Sequence, residues 1–233
     1  MPSIQQILGW LLFIITLFLF WILYEAYQRP GKSGESNTLR IIKNFLQSNG
    51  YKKQDYLLVN NLIIQKAGYW SCEIDILLLT KKWIYVIEVK DWKAGTLKGN
   101  FNDEHWTRSW KIKRGRKPRQ ERVYSPFFQN ETHIKRLKSY FPLTNQSNIL
   151  SIVVFNSPEL EYNLKRTKNL VLKEKFTLAN NSIRGGIADV LTKYEKQSTR
   201  LNFFEQLRKK IGQEIITPHK IQKHRIWVKS LRG

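Results

Sequence analysis

The chain has 233 residues, with 40 Lys+Arg against 18 Asp+Glu and a formal net charge of +22. An apolar share of 42% can bury a core, which excludes a disordered chain, and the charge points to a polyanionic partner, nucleic acid or anionic lipid. One cysteine, Cys72, excludes an internal disulfide framework, and the four histidines are too scattered for a zinc cluster.

From Ile7 to Tyr24 every residue is apolar, aromatic, Gly or Thr. The stretch predicts a transmembrane helix over residues 4–27, since ~20 apolar residues at ~1.5 Å each cover a hydrocarbon core of ~30 Å. Trp10, Trp21, Tyr24 and Tyr27 lie towards its two ends, where aromatic rings favour the headgroups. A cleaved signal peptide fits less well: no Lys or Arg precedes the run, the run is long, and no small-residue cleavage site follows. Arg29, Lys32, Arg40 and Lys43 come after it, so the positive-inside rule predicts a cytoplasmic C-terminal domain. Residues 28–33 read as a linker, stopped by Pro30 and Gly31.

Glu35 to Gln47 reads as a helix, with Glu35, Leu39, Ile42 and Leu46 on one face. Strands are predicted over Tyr56–Ile64, Ile74–Thr80 and Trp83–Lys90, the last two joined by a short turn at Lys81-Lys82. Residues 91–102 read as turn-rich, and 108–122 as a basic, irregular insert. A helix from Pro126 to Tyr140 starts with Pro in its first turn. Ile149–Phe155 is a buried strand and Leu170–Leu172 a candidate for another. Asn180–Tyr194 and Arg200–Ile211 are predicted helices, and the tail from Ile215 is basic and weakly patterned. This order predicts an α/β domain with a mixed sheet, its core at 34–156, followed by a basic C-terminal extension with helices at 157–233.

Successive side chains of a strand point to opposite faces, so Glu88 and Lys90 share the face of Ile84 and Val86. Asp75 interrupts the neighbouring apolar strand in the same way, and Glu35 lies on the apolar face of the first helix. Charges at such positions are costly unless they pair or hold a metal. Two readings fit these residues equally: an internal network in which Lys90 neutralises Asp75 and Glu88, or a metal site. In the second, Asp75 and Glu88 suit Mg²⁺ or Mn²⁺ rather than zinc. Lys90 then positions a water or steadies developing negative charge during phosphodiester hydrolysis.

The chain also resembles a known family. The matching residues are Gly34-Glu35, Glu73-Ile74-Asp75-Ile76-Leu77, Tyr85-Val86-Ile87-Glu88-Val89-Lys90, Gly95-Thr96-Leu97-Lys98-Gly99, Trp106, and Pro126-Phe127-Phe128-Gln129 with His133 one helical turn on. In this order they resemble the NERD, or nuclease-related, domain of the PD-(D/E)xK superfamily. The resemblance implies a restriction-endonuclease-like α-β-β-β-α-β core and a catalytic set of Glu35, Asp75, Glu88 and Lys90, with Gln129 as an accessory residue near phosphate or metal. Two features depart from the family pattern: the basic insert, and Asp91, expected to face solvent, where a polar amide is common.

Within the insert stand Arg108, Lys111, Lys113, Arg114, Arg116, Lys117, Arg119 and Arg122, with Trp106 and Trp110 beside them. Lys/Arg clusters neutralise phosphates and aromatic rings stack on bases, so the segment is read as a nucleic-acid contact. Anionic lipid and a merely solvated loop are the rivals. Lys220, Lys223, Arg225, Lys229, Arg232 and Trp227 of the tail fit either polyanion. The resulting expectation is a membrane-anchored, Mg²⁺- or Mn²⁺-dependent nuclease with DNA ahead of RNA as substrate. The alternative is a non-catalytic, membrane-tethered nucleic-acid-binding or scaffold protein.

Overall fold

A computed structural model describes residues 4–27, 32–66, 70–92, 94–111, 117–165, 175–180 and 186–214. The candidate strand Leu170–Leu172, the tail from Ile215, most of the 28–33 linker, and Lys113, Arg114 and Arg116 lie outside them. The chain divides into two units, Met1–Ser33 and Gly34–Gly233.

The first unit is helix α1 (Ile4–Tyr27), whose described apolar side chains, such as Trp10, Leu12 and Phe20, are exposed. Among the described residues no helix is long and apolar enough to cross a membrane. Side chains are described continuously only from Gly9 to Phe20, about 18 Å of helix at ~1.5 Å per residue. The predicted span therefore stands on the sequence of residues 4–27 alone.

The second unit runs α2 (Lys32–Ser48), β1 (Tyr56–Lys66), β2 (Trp70–Thr80), β3 (Ile84–Lys90), β4 (Ala94–Asn100), β5 (His105–Trp110), β6 (Arg119–Tyr124) and α3 (Pro126–Tyr140). A short 3₁₀ turn, β7 (Ile149–Phe155), β8 (Glu159–Lys165), β9 (Lys175–Asn180), α4 (Ile187–Glu195) and α5 (Phe204–Gln213) follow. Five strands form a mixed sheet in the order β1-β2-β3-β7-β9, with β1, β2 and β3 antiparallel and β3, β7 and β9 parallel. One face packs Ile42, Phe45 and Leu46 of α2 and Ile187 and Leu191 of α4 against Ile76, Tyr85, Ile87 and Ile152. The other face packs Ile134 and Leu137 of α3 and Leu207 and Ile211 of α5 against Leu77, Ile84 and Val86. Each of these fully buried aliphatic side chains contributes about 1.5–3 kcal/mol, and together they fix the helices on both faces of β3.

The turn predicted at Lys81-Lys82 forms without Gly or Asn. The Thr80 hydroxyl accepts hydrogen bonds from the backbone N–H groups of Lys82 (3.2 Å) and Trp83 (3.1 Å), which supplies the turn locally.

The stretch from 91 to 124 departs from the prediction. It forms β4, β5 and β6 of a second sheet, ordered β6-β5-β4-β8, in place of turns and an irregular insert. Its strands hide from pattern reading because each sends so little inward: Leu97 alone is buried in β4 and Trp106 alone in β5, while β6 is exposed apart from a half-buried Val123. Leu97, Trp106 and Leu160 pack with Phe127 of α3 and Val153 and Phe155 of β7, joining the two sheets. Strands β8 and β9, both after residue 156, pair with β4 and β7, so the C-terminal segment is built into both sheets. Asn180 belongs to β9 and residues 181–185 are not described, so the predicted helix Asn180–Tyr194 is observed as α4.

Candidate active site

The site begins where β2 and β3 part. Their ladder ends at the pair Ile76–Ile87, and the β1–β2 ladder skips Asn61 opposite Asp75, where Asn61 adopts a left-handed φ of 54°. Asp75 therefore has no β3 partner strand beside it. Its Oδ2 accepts a hydrogen bond from the Val89 backbone N–H at 2.8 Å, replacing the lost ladder bond. The carboxylate is thus held in a wedge between the strands.

Glu88 enters the wedge from β3, on the α3 side of the sheet, and is 1% exposed. Its Oε1 lies 2.6 Å from Lys90 Nζ. Lys90 also donates to Gln129 Oε1 of α3 at 2.9 Å. Glu88 Oε2 and His133 Nδ1 are 3.6 Å apart, beyond hydrogen-bond length, and each is buried without a hydrogen-bond partner among the described residues. Gln129 and His133 sit four residues apart on α3 and so share the helix face turned to β3. Between them Asn130 is fully buried, its Nδ2 donating to Val86 O (2.8 Å), Ser151 Oγ (2.9 Å) and Ile152 O (3.3 Å). That one amide holds α3 against β3 and β7 together.

The electrostatics follow from burial. Desolvation first, then the nearby Asp75 charge, raise the Glu88 carboxyl to about 8; Lys90 opposes this and Glu35 adds to it. Desolvation lifts Asp75 to about 6, against the Val89 hydrogen bond and Lys90. Burial, with Lys90 and Arg136 nearby, drops His133 to about 4, so its imidazole is neutral at pH 7. Burial is the main cause of both raised carboxyl values, and Lys90 offsets it only in part.

Glu35 joins the set through α2, whose first turn butts against the ends of β3 and β7. A Cβ on Gly34 would lie 2.8 Å from Asn156 Nδ2 and 3.0 Å from Asp91 Cβ, so a side chain here would have to displace both neighbours. Asp91 is accordingly half-buried beneath the helix, not turned fully to solvent as the sequence suggested. Glu35, Asp75, Glu88, Lys90 and Gln129 are thus brought to one place. The sequence reading missed the site roles of His133 and Asn130; their spacing from Gln129 on a helix facing a buried strand was the available signal.

A profile of the NERD (nuclease-related domain) family matches residues 30–156, more than half of the chain. The protein belongs to the nuclease-related domain family. No curated protein and no solved structure matches it. The NERD match runs from the approach to α2 to the residue after β7, and so contains every residue of the wedge. Among the described residues of this NERD protein, no three His, Cys, Asp or Glu side chains gather as a ready-made metal cage.

The described residues of the basic segment belong mostly to the antiparallel pair β5–β6. Trp106 cannot offer a face to a base: it is 1% exposed, with its Nε1 donating to Asn100 O at 2.9 Å. Its role is to pack Phe101 and Phe127. Arg108 is also committed, pairing with Glu121 (3.2 Å) and donating to Ala94 O (3.3 Å), with its guanidinium over the rings of Trp92 and Trp110. Arg122 contacts His105 Nδ1 at 3.3 Å. Lys111, Lys117 and Arg119 are exposed, and Trp110 is half-buried.

Proposed function

We propose that this protein is a metal-dependent nuclease hydrolysing phosphodiester bonds, with DNA as the first substrate to test. The observation that carries the reading is the Glu88 carboxyl. It is buried beside Asp75, one oxygen on Lys90 and the other without a hydrogen-bond partner among the described residues. A divalent cation suits this pocket. Mg²⁺ is usually held by one or two carboxylates together with substrate phosphates, not by an all-protein cage. Asp75 and Glu88 supply that number of hard oxygen donors, and their raised affinities for protons express the same unmet demand for positive charge.

In this reading Asp75 and Glu88 hold the ion, which supplies Lewis-acid polarisation of the phosphodiester. Lys90 presents its ammonium to the charge that builds on the phosphate oxygens. Gln129 fixes where that ammonium sits. His133, neutral, adds no positive charge to the α3 side of the pocket. Glu35 closes the far side from α2 and adds negative charge to the ion's surroundings.

The same reading makes α1 a single-pass anchor with the NERD domain on the cytoplasmic side. The uncharged run Ile7–Tyr24 and the positive residues after it support this. Resistance of the full chain to alkaline extraction from membranes tests it, and release into the supernatant would remove the anchor. For the catalytic reading, the full chain in detergent is incubated with DNA and RNA in Mg²⁺, in Mn²⁺ and in chelator, beside Glu88→Ala and Lys90→Ala. Metal-dependent cleavage that both substitutions abolish is the expected result. Salt-sensitive binding with no cleavage in any metal would overturn it in favour of a tethered binding protein.

A further inference from the structure

A groove opens on the second sheet directly beside the wedge. It is lined by Asp91 and Trp92, which follow Lys90 in the chain, by Arg108 and Trp110 of β5, and by Glu159 and Glu161 of β8. Its volume of about 780 Å³ falls in the range of small-ligand sites, ~300–1,000 Å³. We propose that this groove takes one unpaired nucleobase of the strand that lies over the carboxylates, so that the protein prefers single-stranded or frayed nucleic acid to duplex.

The chemistry of the lining decides between a base and a phosphate. Trp92 and Trp110 flank the Arg108 guanidinium, whose carbon lies 5.5 Å and 4.8 Å from their ring centroids. Arg108 is fixed over the two rings by Glu121 and Ala94 O. Aromatic rings beside a fixed guanidinium are what a base face stacks on. Glu159 and Glu161 of β8 also line the groove and are exposed, with Thr96 donating to Glu161 at 3.1 Å. Three carboxylates, counting Asp91, outnumber the two cations of the lining, Arg108 and Lys111, and accept hydrogen bonds from the exocyclic amines and ring N–H groups of bases. Phosphates on either side of the base are served by Lys111, which lines the groove, and by exposed Lys117 and Arg119. A base inside a duplex has both faces stacked and its pairing edge occupied, so only an unpaired base can use such a lining.

This inference rests on the nuclease reading for its substrate class, but its test needs no turnover. The full chain in detergent, in chelator, is titrated by fluorescence anisotropy with a labelled single strand of about 12 nucleotides and with a hairpin duplex of the same sequence. Wild type is expected to favour the single strand. Trp110→Ala is expected to weaken single-strand binding by roughly 5- to 150-fold while leaving the duplex unchanged, and Trp110→Phe to retain most of the affinity. Glu161→Lys, at an exposed position that leaves the fold intact, is expected to lower the single-strand preference while raising duplex affinity. Should Trp110→Ala fail to fold, Glu161→Lys decides alone. Equal weakening of both ligands by Trp110→Ala, or tighter single-strand binding by Glu161→Lys, overturns the base site. Such a result leaves the cleavage assay with Glu88→Ala untouched, so the two readings fail separately.

Discussion

The Lys90 ammonium lies 2.6 Å from Glu88, a carboxylate that is 1% exposed and that also faces the charge of Asp75. Lys90 therefore faces two acids in the wedge, a buried Glu88 and a half-buried Asp75. Lys90→Ala is expected to destabilise the metal-free protein by about 1–3 kcal/mol at pH 8, because Glu88 must then take up a proton or stay charged without a partner. Chemical denaturation at that pH measures the loss, and a change below about 1 kcal/mol would show that the acids do not depend on Lys90.

Glu88 makes the opposite prediction when its own charge is removed. Its folded affinity for the proton is raised to about 8, above the ordinary carboxyl value of ~4.3. A group raised in this way favours the fold below its unfolded value, and that contribution is lost as pH climbs through the folded value. Glu88→Gln should therefore stabilise the metal-free protein, slightly at pH 5 and by roughly 1–3 kcal/mol above pH 8, while abolishing cleavage. Thermal melts in chelator at the two pH values check the sign.

His133 works in the other direction. Its folded value falls to about 4 from an ordinary 6.5. The buried neutral ring favours the fold fully above pH 6.5, and this is lost as pH falls through 4. His133→Leu should flatten that acid limb of the stability curve without moving the alkaline one. An unchanged limb would place the acid sensitivity elsewhere.

Gln129 accepts a hydrogen bond from Lys90 at 2.9 Å. Gln129→Ala is expected to reduce kcat roughly 10- to 100-fold, the usual cost of losing a partner that orients a catalytic group. KM and the melting temperature should barely change. A loss confined to KM would make Gln129 a substrate contact.

Asn130 is a structural counterpart next door. Replacing it with Ala strips an amide that donates to Val86 O, Ser151 and Ile152 O. The expected cost is about 1–3 kcal/mol for the stranded buried acceptors, read as a lower denaturation midpoint.

The central elements were legible because their residues serve a two-sided core. Ile84, Val86, Ile149 and Ile152 announce strands, and Pro126 opens α3 where its missing N–H costs nothing. Asp75, Glu88 and Lys90 stood out for the same reason: they are charges inside those apolar runs. The second sheet was illegible because Leu97 and Trp106 are the single buried residues of their strands, and Gly95 and Gly99 adopt positive φ values that weaken any strand pattern. The departure of β2 from β3 at Asp75 also left no local trace; it coincides with a skipped pair at the left-handed Asn61 of neighbouring β1.

Strand β8 pairs with β4 over seven residues and β9 with β7 over six, although both begin beyond the family match. A chain trimmed after Asn156 would leave β4 and β7 with bare rows of amide and carbonyl groups. Bare strand edges recruit other chains. Such a fragment should precipitate or assemble end to end, whereas one extended through α5 should stay dispersed.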